Sequence, residues 1–224
     1  IRSAALANKW ELALQRFQSM KEAAVSPTVQ TYGTIIDALG KSRPPKEALH
    51  VLQEARLAAV QPNAICYNTV LSACAKAKLL TEAENVLKQM QADQIDPDVH
   101  TYTNLIHVCA KVGQPGAASA WMERAKASGT MLDIFCYNTL LSAHSKARNL
   151  DGALQLFEDI RTASLRPSNR TYTAALQSVI GSGERGRQAA DYLLQSLLKD
   201  ESVLVDDFLS KSAERAGASP KLQA

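Results

Sequence analysis

The sequence predicts an all-α protein, a right-handed superhelical α-solenoid of antiparallel helix pairs, on three observations. Tyrosines recur at Tyr32, Tyr67, Tyr102, Tyr137 and Tyr172, a constant step of 35 residues. Apolar residues follow the i, i+3, i+4, i+7 spacing of a helix face twice in each 35-residue unit. Short breakers between the two stripes force the pair to pack antiparallel. One such pair, with helices of about 10–14 residues, is marginal in water and cannot cover both apolar faces. Stacked neighbours supply the cover, one helix series lining the inner surface and the other forming the outer wall.

Taken in order, residues 1–28 match the trailing part of a truncated unit. The unit 29–63 opens on T-Y-G-T-I-I, with Tyr32, Ile35, Ile36 and Leu39 on one face; Lys-Ser-Arg-Pro-Pro at 41–45 breaks it, and Ala48, Val51, Leu52 and Ala55 form the second stripe. The unit 64–98 opens on C-Y-N-T-V-L, with stripes Tyr67, Val70, Leu71, Cys74 and Ala83, Val86, Leu87, Met90. The unit 99–133 opens on T-Y-T-N-L-I, with Tyr102, Leu105, Ile106, Cys109 and then Ala118, Trp121, Met122, Ala125 around the breaker Val-Gly-Gln-Pro-Gly at 112–116. The unit 134–168 opens on C-Y-N-T-L-L, breaks at 147–149 and continues with Ala153, Leu156, Phe157 and Ile160. Small alanines at 48, 83, 118 and 153 let the helices of a pair approach closely. Pro62, Pro97 and Pro167 precede the openings at one offset, Pro27 fits one period earlier, and Leu132 interrupts the column. The last unit, 169–204, opens on T-Y-T-A-A-L, but its second stripe, Ala189, Leu193 and Ser196, slips by one residue around Gly181–Gly186 and it lacks the closing proline. Residues 205–224 read as a cap, with Val205, Phe208 and Leu209 apolar, and a polar tail.

Composition narrows the function. The chain has 224 residues, 46% hydrophobic, 21% charged and only 5% aromatic, with a net charge of +3. These values are globular, and no stretch approaches the roughly 20 apolar residues of a membrane span, so a soluble protein is expected. The small positive charge permits an anionic partner without demanding one. The chain begins at Ile1 without a signal-peptide run, as expected of a fragment or processed form. Cys66, Cys74, Cys109 and Cys136 form no C-x-x-C pair and have no His at zinc-ligand spacing, so buried reduced thiols are expected and no metal site. His50, His100, His107 and His144 form no H-E-x-x-H, and His144 falls on an apolar stripe, as a packed core residue does. Asp206 and Asp207 are an isolated acidic pair without the converging carboxylates of a metal-dependent nuclease. No catalytic residue, cofactor or small-molecule substrate is expected.

In a repeat array, recurring positions line up as columns. The residue after each tyrosine is Gly33, Asn68, Thr103, Asn138 or Thr173, and the last residue of each full unit is Asn63, Asp98, Asp133 or Ser168. By residue type the second column suits helix N-caps, and both can hydrogen-bond. A third column, Lys41, Lys76, Lys111 and Lys146, lies near the end of each first helix, where an ammonium pairs with the helix dipole and can equally track a phosphate backbone.

The openings such as C-Y-N-T-L-L, the lysine near the first helix's end, the Glu47-Ala48-Leu49 start of a second helix and the closing Pro97-Asp98 together resemble the pentatricopeptide repeat family, over most of the chain. The resemblance implies single-stranded RNA as partner, read one base per repeat by the first two columns together. It implies uracil for Asn68 with Asp98, guanine for Thr103 with Asp133, and a pyrimidine for Asn138 with Ser168, a core of U-G-Y. Gly33 with Asn63 lies outside the common combinations, and the last unit closes on Val203 or Leu204. The resemblance also gives the second residue of each unit a base-sandwiching role, which suits Ile65, Phe135 and His100; Gln30 and Arg170 are atypical there, although Arg170 can stack or contact phosphate. It implies RNA processing, stabilisation or translation in a mitochondrion or plastid. The rival reading is a protein-binding scaffold of the tetratricopeptide type, using the solenoid surface for protein partners. That type has a period of 34 and a W-x-x-L-G-x-x-Y opening, which is missing here. A third reading is the RNA-binding arm of a larger enzyme.

Overall fold

The computed structural model describes residues 1–7, 9–42, 45–200, 203 and 207–216, with the side chains of 6, 41, 42, 207 and 208 left out of the description. The described residues form 13 α-helices and no strand. They fall into two compact units, the first Ile1–Val112 and the second beginning at Gly113. The first holds α1 (Arg2–Leu6), α2 (Trp10–Glu22), α3 (Val29–Ser42), α4 (Pro45–Leu57), α5 (Ala64–Ala77), α6 (Leu80–Ala92) and α7 (Val99–Lys111). The second holds α8 (Pro115–Ala127), α9 (Ile134–Lys146), α10 (Leu150–Thr162), α11 (Asn169–Val179), α12 (Gly183–Leu198) and α13 (Asp207–Arg215). Of the expected cap, Val205 and Asp206 lie outside the described residues, as do the side chains of Asp207 and Phe208, while Leu209 is buried.

First helices pack on first helices: α5 lies against both α3 and α7 in one unit, and α9 against α11 in the other. Second helices wedge between their own partner and the next first helix within a compact unit, α4 between α3 and α5, α6 between α5 and α7, and α10 between α9 and α11. Two columns build this contact. Ala13, Ala48, Ala83, Ala118 and Ala153 are all buried, and so, four residues on, are Phe17, Leu52, Leu87, Met122 and Phe157. In the last pair the crossing uses Gly186, where a Cβ would sit 2.5 Å from the Val179 carbonyl oxygen. The buried face of α12 is Gly186, Ala189, Ala190, Leu193, Leu194 and Leu197, so of the expected stripe Ala189 and Leu193 are buried and Ser196 is half-buried.

The repeating tyrosine is buried by its ring and needs a partner for its hydroxyl. It finds a carboxylate at the end of its unit's second helix: the Tyr32 hydroxyl lies 3.4 Å from Glu54, Tyr67 donates to Asp93, and Tyr172 lies 3.3 Å from Asp200. Arg56 grips the same Asp93 with two hydrogen bonds of 2.8 and 2.9 Å, and its guanidinium, with the Tyr67 hydroxyl, holds that carboxyl below the usual range. Further ion pairs, Lys21 with Glu54, Lys126 with Asp159 and Arg185 with Asp151, tie each second helix to the next within a unit. All four cysteines are buried thiols outside any disulfide, and burial pushes Cys74 up to about 12.

Second helices end in a left-handed residue at one repeated position, namely Ala24, Ala59, Gln94, Gly129 and Ser164, with φ between 54 and 75°. After α6, Ile95 N–H donates to the Met90 carbonyl and Gln94 N–H to that of Gln91, a turn that satisfies orphan carbonyls at the helix end. Only one of the five is glycine, the residue that adopts this conformation without steric cost. Gln94→Gly is therefore expected to stabilise the protein by about 0.5–1 kcal/mol. Urea denaturation checks this, and an unchanged or lower midpoint would refute it.

Candidate nucleic-acid interface

The candidate site lies where one repeat's closing residue starts the next repeat's first helix. Asn63, Asp98 and Asp133 have extended backbones, and their side chains accept hydrogen bonds from the N–H groups of Cys66, Thr101 and Cys136 at 3.1, 2.9 and 2.9 Å. Ser168 begins α11 in a capping box with Thr171. All four are N-caps, as their residue types predict, and capping holds them in a fixed orientation worth about 1 kcal/mol each.

The column after the tyrosines sits one turn into α3, α5, α7, α9 and α11 and is half-buried at Gly33, Asn68, Thr103 and Asn138. Thr173 is buried, in the helix on which α12 and α13 pack. The structure brings the predicted pairs together to different degrees. The Asn68 amide donates from Nδ2 to both carboxylate oxygens of Asp98, at 2.9 and 3.1 Å, and its Oδ1 accepts from the Thr101 hydroxyl at 2.8 Å. Burial alone would raise the Asp98 carboxyl, but donation from Thr101 N–H and the Asn68 amide outweighs it and holds Asp98 below its ordinary value. Asn138 and Ser168 are linked through Thr171, whose hydroxyl donates to Asn138 Oδ1 at 2.8 Å and lies 3.2 Å from Ser168 Oγ. Gly33 and Asn63 line one groove of about 870 Å³ together with Arg2, Gln30 and Ile65. A Cβ at Gly33 would meet only Cys66 Sγ, at 3.5 Å, so the glycine opens the groove without being demanded by a close approach. Thr103 and Asp133 belong to different compact units; the Thr103 hydroxyl donates to Val99 O at 2.7 Å, and Asp133 caps α9. Of the possible closing residues of the last unit, Val203 is half-buried and Leu204 lies outside the described residues.

The second residue of every unit is exposed: Gln30, Ile65, His100, Phe135 and Arg170. Ile65 is 73% exposed and Phe135 46% exposed, so two large apolar side chains at one repeat position remain outside the core. Lys76, Lys111 and Lys146 stand exposed in the last turns of α5, α7 and α9, and Lys76 Nζ lies 3.3 Å from the Gly40 carbonyl. The Lys41 side chain lies outside the described residues. No group of three or more His, Cys, Asp or Glu among the described residues could hold a metal ion, and no helix is long and apolar enough to cross a membrane. His144 is buried, its Nε2 3.0 Å from Ser119 Oγ, and burial lowers its pKa.

Column reasoning overlooked the residue before each tyrosine. Thr101 and Thr171 are completely buried and join Asn68 and Asn138, which follow the tyrosines of one repeat, to the N-caps Asp98 and Ser168 of the next helix. Their signal lay in the opening phrases, where T-Y and C-Y alternate along the chain.

Sequence profiles of the PPR repeat family match residues 62–111 and 132–179; that of the pentatricopeptide repeat domain matches 1–42; and that of the PPR repeat matches 30–57 and 100–130. No curated protein sequence matches the chain. Among solved structures, the chain is similar to the pentatricopeptide repeat protein PPR10 from maize, with a TM-score of 0.68 and 21% identity over 95% of this chain and 35% of that one. It is similar to the PPR domain of Arabidopsis thaliana protein-only RNase P 1, solved in complex with tRNA, with a TM-score of 0.71 and 23% identity over 81% of this chain and 94% of that domain. It is also similar to PPR10 bound to an 18-nt psaJ RNA element, with a TM-score of 0.56 and 22% identity over 94% of this chain and 34% of that one. The chain thus spans about a third of the length of the maize protein, and these likenesses carry the α-solenoid fold.

Proposed function

The chain belongs to the pentatricopeptide repeat family, and from that premise we propose that it binds single-stranded RNA, one base per repeat, without catalysing a reaction. The observation that carries this reading is the direct hydrogen bonding of Asn68 to Asp98 beside the exposed Ile65. A short amide and a carboxylate held together by a helix cap present donors and acceptors to one base edge, and the neighbouring aliphatic side chain supplies a face for stacking. In this reading Gly33 with Asn63, Asn68 with Asp98, Thr103 with Asp133 and Asn138 with Ser168 read successive bases around a U-G-Y core, and Thr173 begins a last, weakly selective repeat. Ile65, His100, Phe135 and Arg170 sandwich the bases, and Lys41, Lys76, Lys111 and Lys146 follow the phosphates. The site of action is RNA processing, stabilisation or translation in a mitochondrion or plastid, as is typical of the family.

Titration of single-stranded RNA libraries at two salt concentrations tests this. Salt-dependent binding enriched for U-G-Y is expected, and binding indifferent to salt or to that core would overturn the reading. Asn68→Thr should move the preference at that repeat from uracil towards guanine by about five- to tenfold, because one or two hydrogen bonds to the base change partner. An unmoved preference would show that the pairing rule does not transfer to this chain. A second reading, the RNA-binding arm of a larger enzyme, is favoured by the near-complete coverage of the RNase P 1 PPR domain. Sequence beyond either end of the chain distinguishes the two.

A further inference from the structure

We infer that Thr101 and Thr171 are specificity-positioning residues, which fix the amide orientation of Asn68 and Asn138 in the preceding repeat and thereby decide which hydrogen-bonding atom a base meets. The inference rests on the base-reading proposal and adds a residue outside the reading pairs.

An asparagine amide presents a carbonyl oxygen or an NH₂ group depending on a half-turn about its last bond, and something must choose between them. The choice is made by a completely buried hydroxyl. The Thr101 Oγ1 accepts from Asp98 N–H at 3.2 Å, and the Thr171 Oγ1 accepts from Ser168 N–H at 3.0 Å. With a lone pair so engaged, each hydroxyl has a single hydrogen to place. It goes to the asparagine Oδ1, at 2.8 Å in both repeats. Asp98 Oδ1 also lies 3.0 Å from Thr101 Oγ1, but that oxygen already accepts from Thr101 N–H and Asn68 Nδ2, each at 2.9 Å. The carbonyl of each asparagine is thus turned inward, and Nδ2 is left as the group that offers donors. At Asn68 the Asp98 carboxylate enforces the same orientation. Asn138 is paired with an uncharged Ser168, and the Thr171 hydroxyl holds its carbonyl.

The remaining repeats support the assignment. Where the reading residue is Gly33 or Thr103, the corresponding position is Cys66 or Cys136, both buried. A thiol is a weak donor, and neither glycine nor threonine has an amide to orient. Threonine stands where there is an asparagine to lock, and cysteine where there is none.

The test uses Thr171→Cys and Thr171→Ser, the first introducing a residue the protein already accommodates in this column, the second retaining the hydroxyl. Binding is measured to RNAs that differ only at the base facing Asn138. Wild type and Thr171→Ser are expected to prefer a pyrimidine there, while Thr171→Cys loses about five- to tenfold of that preference and keeps the uracil preference at the Asn68 repeat. In the RNA-free protein, the side-chain NH₂ resonances of Asn138 should shift in Thr171→Cys and stay in place in Thr171→Ser. If folded Thr171→Cys keeps both the wild-type preference and the wild-type resonances, the positioning role is wrong. If the resonances move as expected but wild type shows no preference at that base, base reading has failed and the specificity role falls with it.

Discussion

Phe157→Ala is expected to destabilise the second compact unit by about 3–5 kcal/mol. Phe157 is completely buried, and its ring meets Tyr172 at 5.3 Å and Tyr192 at 6.4 Å between centroids, both edge to face. It therefore serves three helices at once, being carried by α10 and packed against α11 and α12. Truncation removes the transfer free energy of the ring, leaves a cavity that rigid helices cannot close, and discards two ring contacts worth about 0.5–1.5 kcal/mol each, part of the same total. In a stacked array each pair is stabilised mainly by its neighbours, so the loss of protection should concentrate on α10, α11 and α12. Urea denaturation combined with amide hydrogen exchange measures both effects. A change below 1 kcal/mol, or loss of protection spread evenly over the chain, would contradict the assignment of Phe157 to the interface between pairs.

Replacing Lys76, Lys111 and Lys146 together with glutamine is expected to weaken RNA binding by roughly a hundredfold at about 0.1 M monovalent salt. Each ammonium that neutralises a phosphate of a single strand contributes about 0.7 to the slope of log affinity against log salt. Three of them make about two units of slope, and at that salt concentration about two orders of magnitude. Base preference should survive, because these side chains stand in the last turns of α5, α7 and α9 while the reading pairs stand at the first turns. Loss of the favourable dipole interaction costs only about 0.3–1 kcal/mol per lysine, so a folded variant with wild-type affinity and an unchanged salt slope would leave the dipole as the sole role of the column. The modest net charge of +3 is compatible with the larger effect, since what matters is the alignment of a few cations rather than their total.

Much of the fold could be read from residue order because the information is local. A stripe such as Tyr67, Val70, Leu71 and Cys74 specifies a helix face whatever lies opposite, and all four prove buried. The 35-residue step of the tyrosines requires the same contact to be made again and again, which only a stack allows. Capping was legible for the same reason: Asn63, Asp98, Asp133 and Ser168 act within three residues of themselves. The approach of Gly186 to the Val179 carbonyl in the last pair was not legible in that way, because it depends on how α12 meets α11.

What residue order left open depends on register between helices far apart in the chain. Tyr67 and Asp93 are 26 residues apart, Asn68 and Asp98 are 30 apart, and Thr171 reaches back 33 residues to Asn138. Periodicity specifies which face of a helix is apolar to within about a turn, whereas a hydrogen bond requires its atoms to meet within a few tenths of an ångström. Four of the five left-handed turns are made by residues other than glycine, so residue type alone did not mark them. Helices, repeat length and candidate columns were therefore available from side-chain order alone. The partner of each polar group, and with it the buried threonines that orient the two asparagines, emerged only once packing had set the helices against one another.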